Sequence, residues 1–90
     1  MIDRVAAIRA CLEARFEPIA LDVQDDSARH VGHEGAKDGR GHFSVRVVSA
    51  AFRGLPALAR HRAVYSALGE MMQTDIHALA IDARAPEEHR

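Results

Sequence analysis

The stretch FSVRVVSAAFRGLPALARHRAVYSALGEMMQTDIHALAI, residues 43–81, decides the fold, because it contains a strand, a helix and a second strand in succession. Apolar and polar residues alternate over 43–47, which is typical of a half-buried strand. From Pro56 to Met72 apolar residues recur at helical spacing. The apolar run 76–81 predicts another strand. Strands connected through a helix in one sheet are normally parallel, with a right-handed crossover.

The residues before this stretch add one helix and one strand. A stripe of apolar residues at steps of three and four predicts a helix over 1–16, which Pro18 ends: Ile2, Val5, Ile8, Leu12 and Phe16. Ile19, Leu21 and Val23 alternate with other residues and predict a short first strand, antiparallel to the second. The predicted α+β order is αββαβ, or αββααβ if the Phe52 region forms its own short helix. Both helices would pack on one face of a three-stranded mixed sheet.

Composition predicts one globular domain. The chain has 90 residues, of which 48% are hydrophobic and 28% charged, a balance far from that of disordered chains. We expect the domain to cover residues 1–86, with a frayed segment from Arg84 and a flexible tail over 87–90. No apolar run approaches the length of a membrane span, and charged residues interrupt 1–16, so neither a membrane anchor nor a secretory signal is expected.

Cysteine usage and charge limit the functions that fit. The single cysteine, Cys11, cannot form an internal disulfide, which favours a reducing compartment and predicts a cytoplasmic protein. A metal or cluster would therefore need histidines or ligands from a partner. A formal net charge of −1 gives no bulk attraction to nucleic acid. No catalytic nucleophile beside a base is apparent, so we expect neither an enzyme nor a small-molecule substrate.

Six histidines are the distinctive chemical feature. His30, His33 and His42 lie in or at the edge of a glycine-rich loop over 28–41, and His77 opens the third strand. Their spacing leaves open an autonomous zinc site and plain solvated loop histidines. His61 and Tyr65 lie on the apolar stripe of the main helix and are predicted to be structural, whereas His89 lies in the predicted tail.

Arginines at the start of the main helix form a local basic cluster. Arg53, Arg60 and Arg62 are candidate phosphate contacts and therefore the best indication of nucleic-acid binding. The chain has no tryptophan, one tyrosine and three phenylalanines, which gives little support for a base-stacking platform. A solvated helix face is the competing interpretation.

Several short segments resemble the BolA family in combination. They are Asp25-Asp26-Ser27 followed by His30-x-x-His33, then His42-Phe43 leading into 45–49, Phe52-x-Gly54, Arg60-His61-Arg62-x-Val64-Tyr65 and Ile76-His77-Ala78-Leu79. The similarity runs from the first helix to about Pro86. It implies an αββααβ fold like that of the class II KH domain.

The resemblance also implies a partner and a cofactor. BolA-like proteins bind monothiol glutaredoxins and share a bridging [2Fe-2S] cluster, in iron–sulfur trafficking or iron regulation. The glutaredoxin and a glutathione thiol would supply ligands on one side, and His77 with His33 the ligands on the other. His42 is the competing second ligand, and the isolated protein would hold no cofactor.

A second implied role is DNA binding by a stress-response transcription regulator, through the helix-turn-helix surface of the KH-like fold. This sequence lacks a G-x-x-G between its helices, because Gly54 stands alone before Leu55. The absence of that motif argues against sequence-specific recognition of the KH type.

Overall fold

The computed structural model describes residues 3–27 and 40–89. The helices and strands are α1 (Arg4–Phe16), β1 (Ala20–Asp25), β2 (Gly41–Val48), α2 (Ala57–Leu68), α3 (Met71–Thr74) and β3 (Ile76–Arg84). Short 3₁₀ turns follow β2 at Ala50–Phe52 and β3 at Pro86–Glu88. This order agrees with the predicted αββααβ fold. The Phe52 region forms a 3₁₀ turn, however, and the second α-helix between β2 and β3 is α3, which was not predicted as a separate helix.

Helix α1 begins later than its apolar pattern predicts. Asp3 caps it, because the Asp3 carboxylate accepts a hydrogen bond from the Ala6 N–H at 3.1 Å. Glu17 ends the helix in a left-handed conformation with φ 45°, directly before Pro18. The buried face consists of Ile8, Leu12 and Phe16.

The sheet has the order β1-β2-β3, with β1 antiparallel and β3 parallel to β2, as predicted. The core side of the sheet carries Leu21 and Val23 from β1 and Phe43, Val45 and Val47 from β2. Ile19 does not belong to β1: it precedes the strand and its side chain is 67% exposed. The sequence prediction for Ile19 was therefore wrong.

A buried serine anchors the crossover that leaves β2. The Ser49 hydroxyl donates to the Phe16 carbonyl at 2.6 Å and accepts from the Ala51 N–H at 3.1 Å. Phe52 is fully buried, and its ring lies 4.8 Å from that of Phe16. These contacts fix the chain between β2 and α2 against the end of α1.

The main helix is shorter than predicted. A single helix from Pro56 to Met72 was wrong, because α2 ends at Leu68 and Gly69 adopts a φ of 55°. Glycine adopts such a positive φ readily because it has no Cβ atom, and α3 starts two residues later. His61 is half-buried as predicted, but Tyr65 is 42% exposed, so the structural role predicted for Tyr65 is not that of a core residue. The face of α2 that meets the core is centred on Val64.

The C-terminal segment is more ordered than its sequence suggests. The prediction of a frayed segment from Arg84 was wrong, since β3 extends to Arg84 and Ala85 is buried. Glu87 and Glu88 lie in the final 3₁₀ turn and pair with arginines of the domain. The domain boundary expected at residue 86 therefore falls inside a folded turn.

Candidate metal centre

His77 is the extra residue of a β-bulge at the start of β3. In the parallel pairing of β2 with β3, Gly41 lies opposite Ile76, whereas His42 lies opposite Ala78. His77 therefore has no opposite residue in β2. Bulges commonly re-aim side chains beside binding sites, and His77 is exposed to solvent.

The burial pattern of β3 explains the bulge. Ile76 is buried, and Leu79 also packs against the core. In a regular strand, residues three apart point to opposite faces of the sheet. One extra residue is needed for both side chains to face the helices, and it leaves His77 and Ala78 exposed.

His42 is the second residue of β2, and the turn after β1 holds its backbone. The Asp26 N–H donates to the His42 carbonyl at 2.7 Å, and the His42 N–H donates to Ser27 Oγ at 3.1 Å. Asp25 in turn accepts from the Ser27 N–H at 2.9 Å. Hydrogen bonds from the side chain and backbone of Ser27 lower the pKa of Asp25, so an ionised carboxylate holds the turn at neutral pH.

The rings of His42 and His77 lie side by side across β2 and β3. Their centroids are 5.1 Å apart and their planes are inclined by 51°. With metal–nitrogen bonds of about 2.1 Å and ring centres about 1.1 Å beyond the nitrogen, two imidazoles on one tetrahedral ion have centres about 5 Å apart. The observed spacing therefore suits two ligands on one metal ion.

Arg40, directly before β2, reaches the same place. Its Nη2 atom lies 3.3 Å from Nδ1 of His77. The adjoining backbone is fixed, because the Gly41 N–H donates to the Asp75 carbonyl at 2.9 Å. The site is thus two imidazoles with a guanidinium at its rim.

The two histidines supply at most half of a four-coordinate site. Residues 3–27 and 40–89 contain no group of three or more His, Cys, Asp or Glu that could hold a metal ion. The half-buried Cys11 packs against the hydrophobic core from α1. Further ligands for His42 and His77 would have to come from residues 28–39 or from another molecule.

The remaining predicted histidines are not part of this pair. His33, the predicted second ligand, and His30 lie outside the described residues, so their roles stay predictions. His61 is half-buried on α2, and His89 is exposed after the last turn. Of the three predicted metal ligands, the structure brings together His42 and His77.

Two of the three arginines predicted to contact nucleic acid are engaged by carboxylates. Arg53 pairs with Glu87 at 2.9 Å, and Arg60 pairs with Glu88 at 2.6 Å while donating to the Ala83 carbonyl at 3.0 Å. Arg62 is exposed on α2 and forms no ion pair with any residue that the structure describes. The cluster therefore presents less positive charge than its sequence suggests.

Sequence reasoning missed Arg40 and the bulge. The bulge had a signal, since Ile76 and Leu79 are both large and apolar but three positions apart. Arg40 had none, because its contact with His77 depends on a pairing between strands that are distant in sequence.

In the part of the chain that the structure describes, no helix combines the length and the apolar character needed to cross a bilayer.

Comparisons with known proteins agree with this architecture. The sequence pattern that defines the BolA-like proteins matches residues 12–88. The chloroplastic protein BOLA1 of Arabidopsis thaliana is 39% identical over 89 residues, which cover 96% of this chain and 56% of that protein. The DNA-binding transcriptional regulator BolA of Escherichia coli strain K12 is 44% identical over 70 residues, covering 78% of this chain and 64% of the regulator. The chain thus spans just over half to about two thirds of these relatives.

A solved structure extends the agreement to three dimensions. The BolA domain of SufE1 from Arabidopsis thaliana superimposes with a TM-score of 0.85 at 38% identity, covering 98% of each chain. The match includes both the helices and the mixed sheet that place His42 beside His77. By sequence pattern, identity and fold, this chain belongs to the BolA-like protein family.

Proposed function

We propose that this protein is an adaptor that binds a monothiol glutaredoxin and shares a [2Fe-2S] cluster with it. The observation that carries the proposal is the pair of imidazoles, His42 and His77, with centroids 5.1 Å apart at an exposed end of the sheet. It supports His42 as a ligand beside His77, while His33, which lies outside the described residues, stays the other candidate for the second ligand. The chain acts as a binding protein rather than an enzyme, and cytoplasmic localisation stays a prediction.

The chemistry of the site suits half of a shared centre. Iron–sulfur clusters are held mainly by thiolates, and the one cysteine of this chain lies on α1, packed against the core. In the proposed complex, a glutaredoxin cysteine and glutathione supply the thiolates, and this chain supplies two neutral imidazoles. A cluster with histidine ligands on one iron carries less negative charge and has a higher reduction potential than an all-thiolate one.

Each structural feature has a part in this role. The bulge turns His77 outward, and the turn at Asp26 and Ser27 fixes the backbone of His42. The two rings therefore start side by side, which limits the ordering that binding requires. Exposure of His77 leaves room for a partner to approach.

The test is reconstitution of the complex from this protein, a monothiol glutaredoxin, iron, sulfide and glutathione. We expect a visible chromophore whose circular dichroism changes in His77→Ala and His42→Ala, with at least about ten-fold less cluster retained. His89→Ala is the matched control, because His89 is an exposed histidine outside the pair. An unchanged spectrum in His77→Ala would overturn the proposal. A change in His33→Ala but not in His42→Ala would make His33 the second ligand.

DNA binding is the second candidate function. It is favoured by the exposed Arg62 on α2 and by the similarity to the DNA-binding transcriptional regulator BolA of Escherichia coli. Arg53 and Arg60 contribute less, since Glu87 and Glu88 pair with them.

Salt dependence tests the DNA hypothesis. Phosphate-driven affinity must fall steeply between about 50 and 200 mM salt, and Arg62→Ala should reduce the slope of log affinity against log salt by about one. Arg46→Ala, which removes an arginine paired with Asp82 on the sheet, is the control. Binding that is insensitive to both salt and Arg62→Ala would exclude this function.

A further inference from the structure

We infer that Arg40 holds His77 in a resting form that cannot bind metal, and that Arg40 must leave His77 before the histidine becomes a ligand. The inference rests on the proposed role of His77 as a ligand. It concerns a contact within this chain that exists before any partner or metal arrives.

The polarity of the contact defines the resting form. A guanidinium has donors and no acceptor, so at 3.3 Å from Nη2 of Arg40 the Nδ1 atom of His77 can only be the acceptor. A neutral imidazole with a lone pair on Nδ1 carries its hydrogen on Nε2. One ring nitrogen therefore faces Arg40, and the other is blocked by its own hydrogen.

A metal-bound histidine needs the opposite arrangement. Such a histidine binds the metal through one nitrogen and donates its other N–H to an acceptor such as a carboxylate or a carbonyl. If Nε2 of His77 binds the metal, Nδ1 carries the hydrogen and cannot accept from Arg40. If Nδ1 binds the metal, it takes the place that Arg40 occupies. Both routes break the contact.

Arg40 competes with a metal ion for His77 from a position next to the histidine. The residue after it is fixed by the hydrogen bond from the Gly41 N–H to the Asp75 carbonyl, so the side chain of Arg40 extends from a backbone anchored at the start of β3. Its positive charge also repels an incoming cation. An anionic partner offers carboxylates, which bind a guanidinium more strongly than a neutral imidazole does. Such a partner would draw Arg40 away from Nδ1 of His77 at the moment of docking.

Metal affinity of the isolated protein tests the competition, with Co²⁺ as the probe and its visible absorption as the signal. Arg40→Ala is expected to tighten Co²⁺ binding about five-fold, the order of one net hydrogen bond. The gain should vanish in the double variant Arg40→Ala/His77→Ala, which shows that it acts through His77. Arg62→Ala removes an equal charge from α2 and should leave affinity unchanged.

The ring itself gives a second readout that needs no metal. At about pH 8, where an unperturbed imidazole is neutral, ¹⁵N chemical shifts should report hydrogen on Nε2 of His77 in the parent protein. In Arg40→Ala they should move toward a mixture of the two tautomers. Unchanged shifts together with unchanged Co²⁺ affinity would overturn the inference. That failure is distinct from failure of the proposed function, which is decided by His77→Ala in the glutaredoxin reconstitution.

Discussion

At the scale of single residues, the packing around Gly41 leaves no space for a side chain beside the candidate site. A Cβ atom at Gly41 would lie 2.6 Å from Cε2 of Phe43 and 2.8 Å from Oγ of Ser27. Phe43 belongs to the core and is 2% exposed, so its ring cannot swing away. Ser27 accepts the His42 N–H, so a displaced Ser27 would also loosen His42.

We therefore predict that Gly41→Ala destabilises the protein by about 1 to 3 kcal/mol, the usual cost of overpacking. Urea denaturation measures the loss. Ser27→Ala is the comparison, because it removes the hydrogen bonds of the Ser27 hydroxyl without adding an atom and should cost about 1 kcal/mol. A Gly41→Ala protein that is as stable as Ser27→Ala would contradict the clash with Phe43.

The residues of the candidate site could be predicted only in part from the sequence. His77 and His42 were both candidates, through resemblance and position, and both lie in the observed pair. Their proximity was not predictable from spacing, because it depends on the register between strands that are about 35 residues apart in sequence. The arginine that contacts His77 was missed for the same reason.

At the scale of elements, local pattern predicted α1, α2 and the three strands, missed α3 as a separate helix and was less accurate about where the elements end. The two ends of the main helix show why. Pro56 precedes its first residue, as its fixed φ allows, whereas Gly69 stops the helix although apolar residues continue at helical spacing to Met72. Periodicity across a glycine therefore described two helices, α2 and α3, as one.

Strand β3 shows a different limit of pattern reading. The run from Ile76 to Ile81 looks apolar apart from His77, because alanines occupy positions 78 and 80. Both alanines are exposed in the structure, so β3 is buried on one face only. Because alanine is both small and apolar, the sequence does not reveal the alternation of buried and exposed residues in β3. It also does not reveal the one-residue register shift that creates the bulge at His77.

At the scale of the whole molecule, the histidine pair and Arg60 of the arginine cluster lie at opposite ends of β3. The histidine pair lies at its first residues, and Arg60 contacts the Ala83 carbonyl near its last. Ala83 lies six residue steps along the strand from His77, or about 20 Å away. Cluster binding and DNA binding are therefore separable by mutation, and each test above can be read without disturbing the other site.

The ion pairs of Glu87 and Glu88 beyond the C-terminal end of β3 make the stability of the fold depend on pH. Arg53 forms a two-point contact with Glu87, whose pKa falls from the usual 4.5 to about 2 through this hydrogen bonding and the adjacent positive charge. Glu88 has a lowered pKa through its hydrogen bond with Arg60. A carboxylate with a lowered pKa in the folded state stabilises the fold above its unfolded pKa and loses that contribution as the pH falls through the folded value.

We expect the fold to weaken as the pH drops from the usual glutamate pKa of 4.5 toward the value of about 2 that Glu87 has in the folded state. Glu87→Gln should lower the thermal midpoint slightly at pH 7 and reduce its fall in acid, because the pair is exposed and screened by solvent. Glu70→Gln is the matched control, since Glu70 is exposed and makes no ion pair with the residues described. Identical acid profiles for the parent and Glu87→Gln would show that the final turn does not contribute to stability. A flatter profile in Glu87→Gln alone would establish that residues 86–88 belong to the cooperative fold, as the contacts of Arg53 and Arg60 indicate.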